Sequence, residues 1–307
     1  MLWNFFQFMP KPFDEGFLPE QDGHKVYYVQ YGNPQGIPVL SFHGGPGGCS
    51  RPKYAKLFNL KKYRFIQFDQ RGCGLSEFEN LIFANNTQAL INDAARLLDF
   101  LNIHTPIIVH GCSWGSTMAL LFAEAYPKLV QKIVVHSVFL ARPQDSAWVT
   151  RDSERFYPDL WQEMRRQVNT PNILSAYERL LFSDDETDNL KALTYWGSYE
   201  YQLGKLEPQF ETLTEMTPKL LNGTRVYLTY TKNNFFITDN QILDNIAPIK
   251  NIPTLIVHNR MDFCCTLKQA WDLHQALPDS QFIINAGRGH SSSQLLKVVK
   301  KALKDFL

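Results

Sequence analysis

No apolar run in the 307-residue chain approaches the roughly 18 to 20 residues that a membrane-spanning helix needs. The mean hydropathy of -0.26 is that of a chain at home in water. An excess of either charge is equally lacking, because 31 Lys plus Arg stand against 30 Asp plus Glu, a net +1. That balance supplies no electrostatic footprint for nucleic acid or an anionic membrane, so neither is expected as a partner. The apolar, aromatic stretch Met1 to Met9 has no basic n-region and no small-residue cleavage site, which excludes a signal peptide as its reading. Cysteine is scarce and unpaired in pattern: five residues, Cys264 and Cys265 adjacent, no CxxC and no HExxH. Such usage argues against a disulfide framework and against zinc, and for a reducing cytoplasm with no metal at the site. Neither a P-loop nor a G-x-G-x-x-G opening a helix occurs, which disfavours nucleotides. Repeats and low-complexity tracts are absent as well, excluding solenoids.

What is present is ordinary globular composition, 44% hydrophobic and 20% charged. Short runs rich in Val, Ile, Phe and Tyr alternate with segments of helical period, as in an α/β protein with a mostly parallel central sheet flanked by helices. Strands are expected at Lys25 to Tyr31, Ile37 to Phe42, Tyr63 to Phe68, Ile107 to His110, Ile133 to Ser137, Pro253 to His258 and Gln281 to Asn285. The turn cluster Gly32 to Gly36 suggests that the first two form an antiparallel pair. Helices are expected at Thr87 to Leu101, Leu267 to Leu277 and Ser292 to Phe306; in the first, Leu90, Ala94, Leu97, Leu98 and Leu101 share one face. From about Ala141 to Ile249 strand-like runs thin out while Trp148, Trp161 and Trp196 sit in helix-prone sequence. The expected organisation is therefore a core of 1–140 and 250–307 with an inserted helical cap at 141–249.

The sharpest motif is Gly111-Cys112-Ser113-Trp114-Gly115, a G-x-S-x-G between a strand-like run and the helical Ser116 to Ala125. In a nucleophile elbow the serine sits on a strained turn, and the flanking glycines let backbone and helix approach where a Cβ would clash. A serine hydroxyl needs a general base, and the base needs a carboxylate that fixes its tautomer. In elbow hydrolases the acid and then the histidine follow in the chain, each just after a strand. Asp262 and His290 fall there, the latter within Gly287-Arg288-Gly289-His290. Asp239 and Asp244 are rival acids, but neither follows a strand. The oxyanion needs two backbone N–H donors, one after the serine and one from a glycine-rich loop after an early strand. Trp114 and Gly45, the latter in His43-Gly44-Gly45-Pro46-Gly47-Gly48, are the expected donors.

These residues resemble the proline iminopeptidases (prolyl aminopeptidases) of the α/β-hydrolase fold. The resemblance rests on HGGPGG at His43 to Gly48, DQRGCGLS at Asp69 to Ser76 and GCSWGS at Gly111 to Ser116, in the family's order. By composition alone the DQRG stretch is a polar turn with a buried Arg71; the resemblance adds a structural role near the site. It implies release of N-terminal proline from short peptides through an acyl-enzyme, with no metal or organic cofactor. A cap glutamate of a W-x-x-W-E motif would hold the substrate's charged imino group, and here the stretch reads Trp196-Gly197-Ser198-Tyr199-Glu200. Phe139 matches an aromatic of the family's proline pocket, and Gly44 is expected to contact substrate. A second family glutamate falls where this chain has Lys232. That departure leaves open a serine hydrolase of the same fold acting on an ester or another amide. A catalytically silent binding protein is a third reading, opposed by the presence of Ser113, Asp262 and His290.

Overall fold

The computed structural model describes residues 9–203, 205 and 208–307; nearly all of the Met1 to Met9 segment lies outside them. The first half of the chain runs β1 (Pro12–Phe17), β2 (His24–Lys25), β3 (Tyr27–Gly32), β4 (Ile37–Phe42), β5 (Tyr63–Phe68), β6 (Glu77–Phe78), α1 (Thr87–Phe100), β7 (Ile107–Ser113), α2 (Trp114–Ala125) and β8 (Val130–Val138). A helical stretch follows with α3 (Pro143–Thr150), α4 (Pro158–Val168), α5 (Ile173–Leu181), α6 (Glu186–Ala192), α7 (Ser198–Gln202), α8 (Pro218–Lys232) and α9 (Gln241–Asp244). The sheet then resumes with β9 (Thr254–Met261), α10 (Leu267–Ala276), β10 (Gln281–Arg288) and α11 (Ser293–Phe306).

Eight strands form one sheet in the order β1-β3-β5-β4-β7-β8-β9-β10, while β2 and β6 make a separate two-stranded ribbon. Within the eight-stranded sheet only the β1–β3 and β3–β5 pairs are antiparallel; every pair from β5 along to β10 in the sheet order is parallel. Apolar runs without polar alternation suit such strands because helices cover both faces. Successive residues feed opposite cores: Leu40, Ile66, Val109, Val135 and Ile256 face α1, α2 and α10, whereas Val39, Phe65, Ile108, Val134 and Leu255 face α11. Side chains start several helices, with Asn86 accepting from Ala89 N–H, Thr217 from Leu220 N–H and Ser292 from Leu295 N–H.

One expectation is corrected. Lys25 to Tyr31 and Ile37 to Phe42 do not pair, because β5 lies between them, antiparallel to β3 and parallel to β4. The Gly32 to Gly36 turn steps across the start of β5 instead of closing a hairpin. Its glycines lie so close to that backbone that a Cβ would sit 2.5 Å from Tyr63 O at Gly32 and 2.6 Å from Lys62 O at Gly36. Between β8 and β9 the described chain is helical and carries its own apolar cluster, in which Trp161, Met164, Tyr177, Leu181, Trp196 and Tyr199 are buried.

Candidate active site

At the C-terminal ends of the parallel strands, β7 runs directly into α2 through Ser113, whose φ of 58° and ψ of -132° are strained for any residue but glycine. Close packing imposes this turn. A Cβ on Gly111 would lie 2.0 Å from Gly115 O, and one on Gly115 would lie 2.2 Å from Phe42 O. The Ser116 hydroxyl donates to Ser113 O at 2.6 Å and accepts from Phe139 N–H at 3.0 Å, tying the turn to the end of β8.

Asp262 directly follows β9, and His290 lies two residues beyond Arg288 at the end of β10. Oδ1 of Asp262 accepts the backbone N–H groups of Cys264 and Cys265, both at 2.9 Å. Its Oδ2 lies 2.8 Å from Nδ1 of His290, and since a carboxylate only accepts, Nδ1 carries the proton. The histidine's backbone is held from two further strands, by the Ser137 hydroxyl on His290 O at 2.6 Å and by Gly289 N–H on Met261 O at 2.9 Å. Burial disfavours imidazolium, yet the Asp262 carboxylate and the Cys265 sulfur outweigh it and hold the His290 pKa well above 6.5. Burial likewise works against the Asp262 carboxylate, and the charge and hydrogen bond of His290 overcome it, so that pKa is lowered. Nε2 of His290 is buried and has no hydrogen-bond partner. Ser113 and His290 line the same cleft of about 980 Å³, but the hydroxyl does not reach the imidazole in this state. Contacts of that kind tighten when substrate excludes water. Asp239 and Asp244 are exposed, far in setting from this buried pair.

The His43 to Gly48 loop lies over the elbow. A Cβ on Gly44 would stand 3.2 Å from Cys112 O and 3.4 Å from the Ser113 Cβ, and Gly45 has a φ of 129°. His43 donates from Nδ1 to Gly44 O at 2.8 Å and accepts Gln70 N–H on Nε2 at 3.0 Å. Gln70 spans loop and elbow, because its Nε2 donates to His43 O at 3.2 Å and its Oε1 accepts the Trp114 indole N–H at 2.9 Å. Its neighbour Arg71, 1% exposed, anchors the stretch through Asp93 at 2.7 Å and Asp22 at 3.1 Å. Sequence reasoning singles out this stretch but not Gln70 as its bridge; an amide between an apolar, strand-like run and Arg71 is the signal it offers.

Above the elbow, Leu193–Gly197 forms a π-helical turn immediately before α7. Trp196 stacks between Tyr177 and Tyr227, with centroids 6.2 and 5.9 Å away. Tyr199 is fixed by Trp161 Nε1, which donates to its hydroxyl at 2.7 Å, and by Ser153 at 2.5 Å. This anchoring leaves Glu200 on the side facing Ser113, and the Tyr227 hydroxyl donates to its Oε1 at 2.7 Å. Burial raises the Glu200 pKa, with the Tyr227 hydrogen bond opposing. A narrow inner pocket joins Ser113, Gly45, Phe139, Glu200, Tyr227 and Phe235. Phe139 and Phe235 pack edge to face there at 5.0 Å. Tyr227 and Phe235 were not foreseen, since an aromatic in a helix-prone stretch reads first as core. Lys232 is exposed, pairs with Glu178 of α5 and does not line the pocket. No described helix is long and apolar enough to cross a membrane.

Fold and elbow together define the class. Over residues 37–293 the chain matches the family model described as alpha/beta hydrolase fold, so it is an α/β hydrolase. It is similar to a bromoperoxidase from Bacillus anthracis at a TM-score of 0.59 and 20% identity, covering 92% of this chain and 95% of that one. A carboxylesterase structure from Nitrososphaera gargenis gives 0.57 and 18%, covering 94% of both; at such identity the likeness concerns the fold alone. The relatives in sequence are more specific. Proline iminopeptidase of Neisseria gonorrhoeae is 34% identical over 304 residues, 97% of each chain. That of Xylella fastidiosa is 37% identical over 288 residues, 92% of each. That of Arabidopsis thaliana is 35% identical over 292 residues, 92% of this chain and 77% of its own. The chain belongs to the proline iminopeptidase family.

Proposed function

We propose that the protein is a serine aminopeptidase that releases proline from the N-terminus of short peptides through an acyl-enzyme. The observation that carries this reading is the Glu200 carboxylate in one pocket with Ser113. A hydrolase with no amine to bind has no use for a buried carboxylate beside its nucleophile, whereas a cationic imino group would pair with it. Binding of that cation offsets the burial that otherwise raises the Glu200 pKa. Tyr227 positions the carboxylate, and Phe139 and Phe235 flank the pyrrolidine ring.

In the acylation step Ser113 Oγ bonds to the prolyl carbonyl carbon as its proton passes to Nε2 of His290. Asp262 holds Nδ1–H and stabilises the imidazolium. The oxyanion accepts from the N–H groups of Gly45 and Trp114, and Gly44 borders the carbonyl. Collapse returns the proton to the leaving amine, and water then cleaves the ester by the same route. Residues 141–249 serve as the cap, inserted between hydrolase halves 1–140 and 250–307. The cysteine usage supports a cytoplasmic setting.

Lys232 removes little support from this reading because its charge is paired with Glu178 outside the pocket. The test compares prolyl-aminomethylcoumarin with its N-acetyl form, the alanyl analogue and p-nitrophenyl acetate. Activity on the free prolyl amide that is lost on acetylation is expected. Turnover of the acetate ester without any of the prolyl amide would overturn the proposal and select the ester or other-amide reading.

A further inference from the structure

Cys264 and Cys265 serve Asp262 through their backbone N–H groups, so nothing in that service calls for sulfur. Both are free thiols and both are buried. Their Sγ atoms and an imidazole nitrogen of His290 nevertheless lie within 4.8 Å of one another. The group is reachable, since Cys264 and His290 line the open cleft and Cys265 lines the inner pocket. Among the described residues it is the one set of three or more His, Cys and acidic groups that converges in this way.

Donor chemistry selects the ligand. Two thiols and an imidazole form a Cys₂His set, which suits zinc and similarly thiophilic divalent ions over hard oxygen-seeking ones. With Nδ1–H given to Asp262, the neutral ring's lone pair is on Nε2, which is buried and unpartnered. A histidine that donates its other N–H to a carboxylate is the usual arrangement of a metal ligand, oriented and made more basic by that bond. Zinc bonds of about 2.3 Å to sulfur and about 2.0 Å to nitrogen place tetrahedral donors roughly 3.5 Å apart. Closing from at most 4.8 Å to that spacing requires side-chain shifts of about 1 Å among Cys264, Cys265 and the His290 ring.

We propose that Cys264, Cys265 and His290 form an inhibitory site for one thiophilic divalent cation of the zinc type. On binding, each protonated thiol, and Nε2 of His290 where the ring is protonated, loses its proton to solvent, two metal–sulfur bonds and one metal–nitrogen bond form, and no redox step occurs. The cation occupies the lone pair that would accept the Ser113 proton, so turnover stops. Inhibition rests on His290 being the base, as proposed above; binding does not.

The experiment titrates the metal-free protein with zinc, following heat, proton release and hydrolysis of prolyl-aminomethylcoumarin. One ion per chain, release of about two protons per ion above the His290 pKa and about one more below it, protection of Cys264 and Cys265 from alkylation, and inhibition reversed by chelator are expected. Ser113→Ala should bind zinc as the wild type does. In Cys264→Ser and Cys265→Ser the affinity should fall at least tenfold, with each variant's residual inhibition referred to its own metal-free rate. Cobalt, used alone as a spectroscopic probe, should give thiolate-to-metal absorption in the wild type and lose it in the double serine variant. Affinity unchanged by both serine substitutions, or binding without inhibition, would overturn the proposal. Zinc binding that depends on both thiols in a protein inert toward prolyl amides would sink the peptidase reading and leave this site standing.

Discussion

Asp262 accepts three N–H groups, two from the backbone and one from His290, so its substitution tests orientation without disturbing much packing. Asp262→Asn places an amide against Nδ1 and favours the wrong tautomer, with an expected loss of about 10⁴ in kcat. Ser113→Ala should cost about 10⁴ to 10⁶ with unchanged thermal unfolding; substantial residual turnover in the alanine variant would refute Ser113 as nucleophile. The pH profile follows from the same pair. Only neutral His290 can take a proton, and its folded pKa lies well above 6.5 because of Asp262 and Cys265 despite burial. The acidic limb of kcat/KM is therefore expected above pH 6.5, and Asp262→Asn should move it lower. Stability has the opposite sign. The raised histidine pKa contributes stability present below pH 6.5 and lost as pH rises through its folded value, so the enzyme is most active where that contribution is fading. Glu200→Gln should lower kcat/KM on the free prolyl amide by about 10² to 10³ and leave p-nitrophenyl acetate hydrolysis within about threefold. Lys232→Ala, at an exposed pair, should change neither by more than about twofold. Equal effects of both substitutions on the amide would argue against Glu200 as the amine's partner.

Helix α8 and the glycine-rich loop meet backbone to backbone. A Cβ on Gly223 would lie 2.4 Å from Gly47 O, and one on Gly47 would lie 1.9 Å from Gly223 O. Helix α8 thus bears on the loop that carries Gly45. Gly223→Ala must push the two apart, and kcat is expected to fall at least tenfold on amide and ester alike, because the proposed oxyanion donor Gly45 is displaced. Unchanged kcat on both substrates would show that the loop tolerates the shift. In the sequence Gly223 reads only as a weak point in a helix, since its partner lies far along the chain. The same limit explains the strand pairing. Buried parallel strands are visible as apolar runs, and the elbow as a local motif, but which strand lies beside which is decided by tertiary contacts. Gly32 to Gly36 reads as a hairpin turn until β5 is seen beneath it. Gln70 and Tyr227 are likewise polar groups whose meaning comes from partners distant in sequence.

At the scale of the molecule, two apolar clusters sandwich the sheet while the buried members of a third lie between Val149 and Leu228, with Trp148 and Phe263 packed against it. The third cluster is held by indole and phenol rings, and its polar ties run inward, from Trp161 to Tyr199 and Ser153. Such a cluster gives physical content to the proposed division at 141–249: a defect there should loosen the cap before the sheet. Trp161 is 3% exposed, and Trp161→Ala removes about 3 to 5 kcal/mol of packing. It also removes one of the two hydrogen bonds on the Tyr199 hydroxyl, at the residue before Glu200. Amide hydrogen exchange should then accelerate across 141–249, with strands β4, β5, β7, β8 and β9 keeping their protection. Activity should split in parallel, the prolyl amide losing far more than p-nitrophenyl acetate, because on the proposed reading the ester needs only the elbow and the loop whereas the amide also needs the Glu200 carboxylate. If exchange instead rises uniformly through sheet and cap, the molecule unfolds as one unit and the cap is not a separate element of its stability.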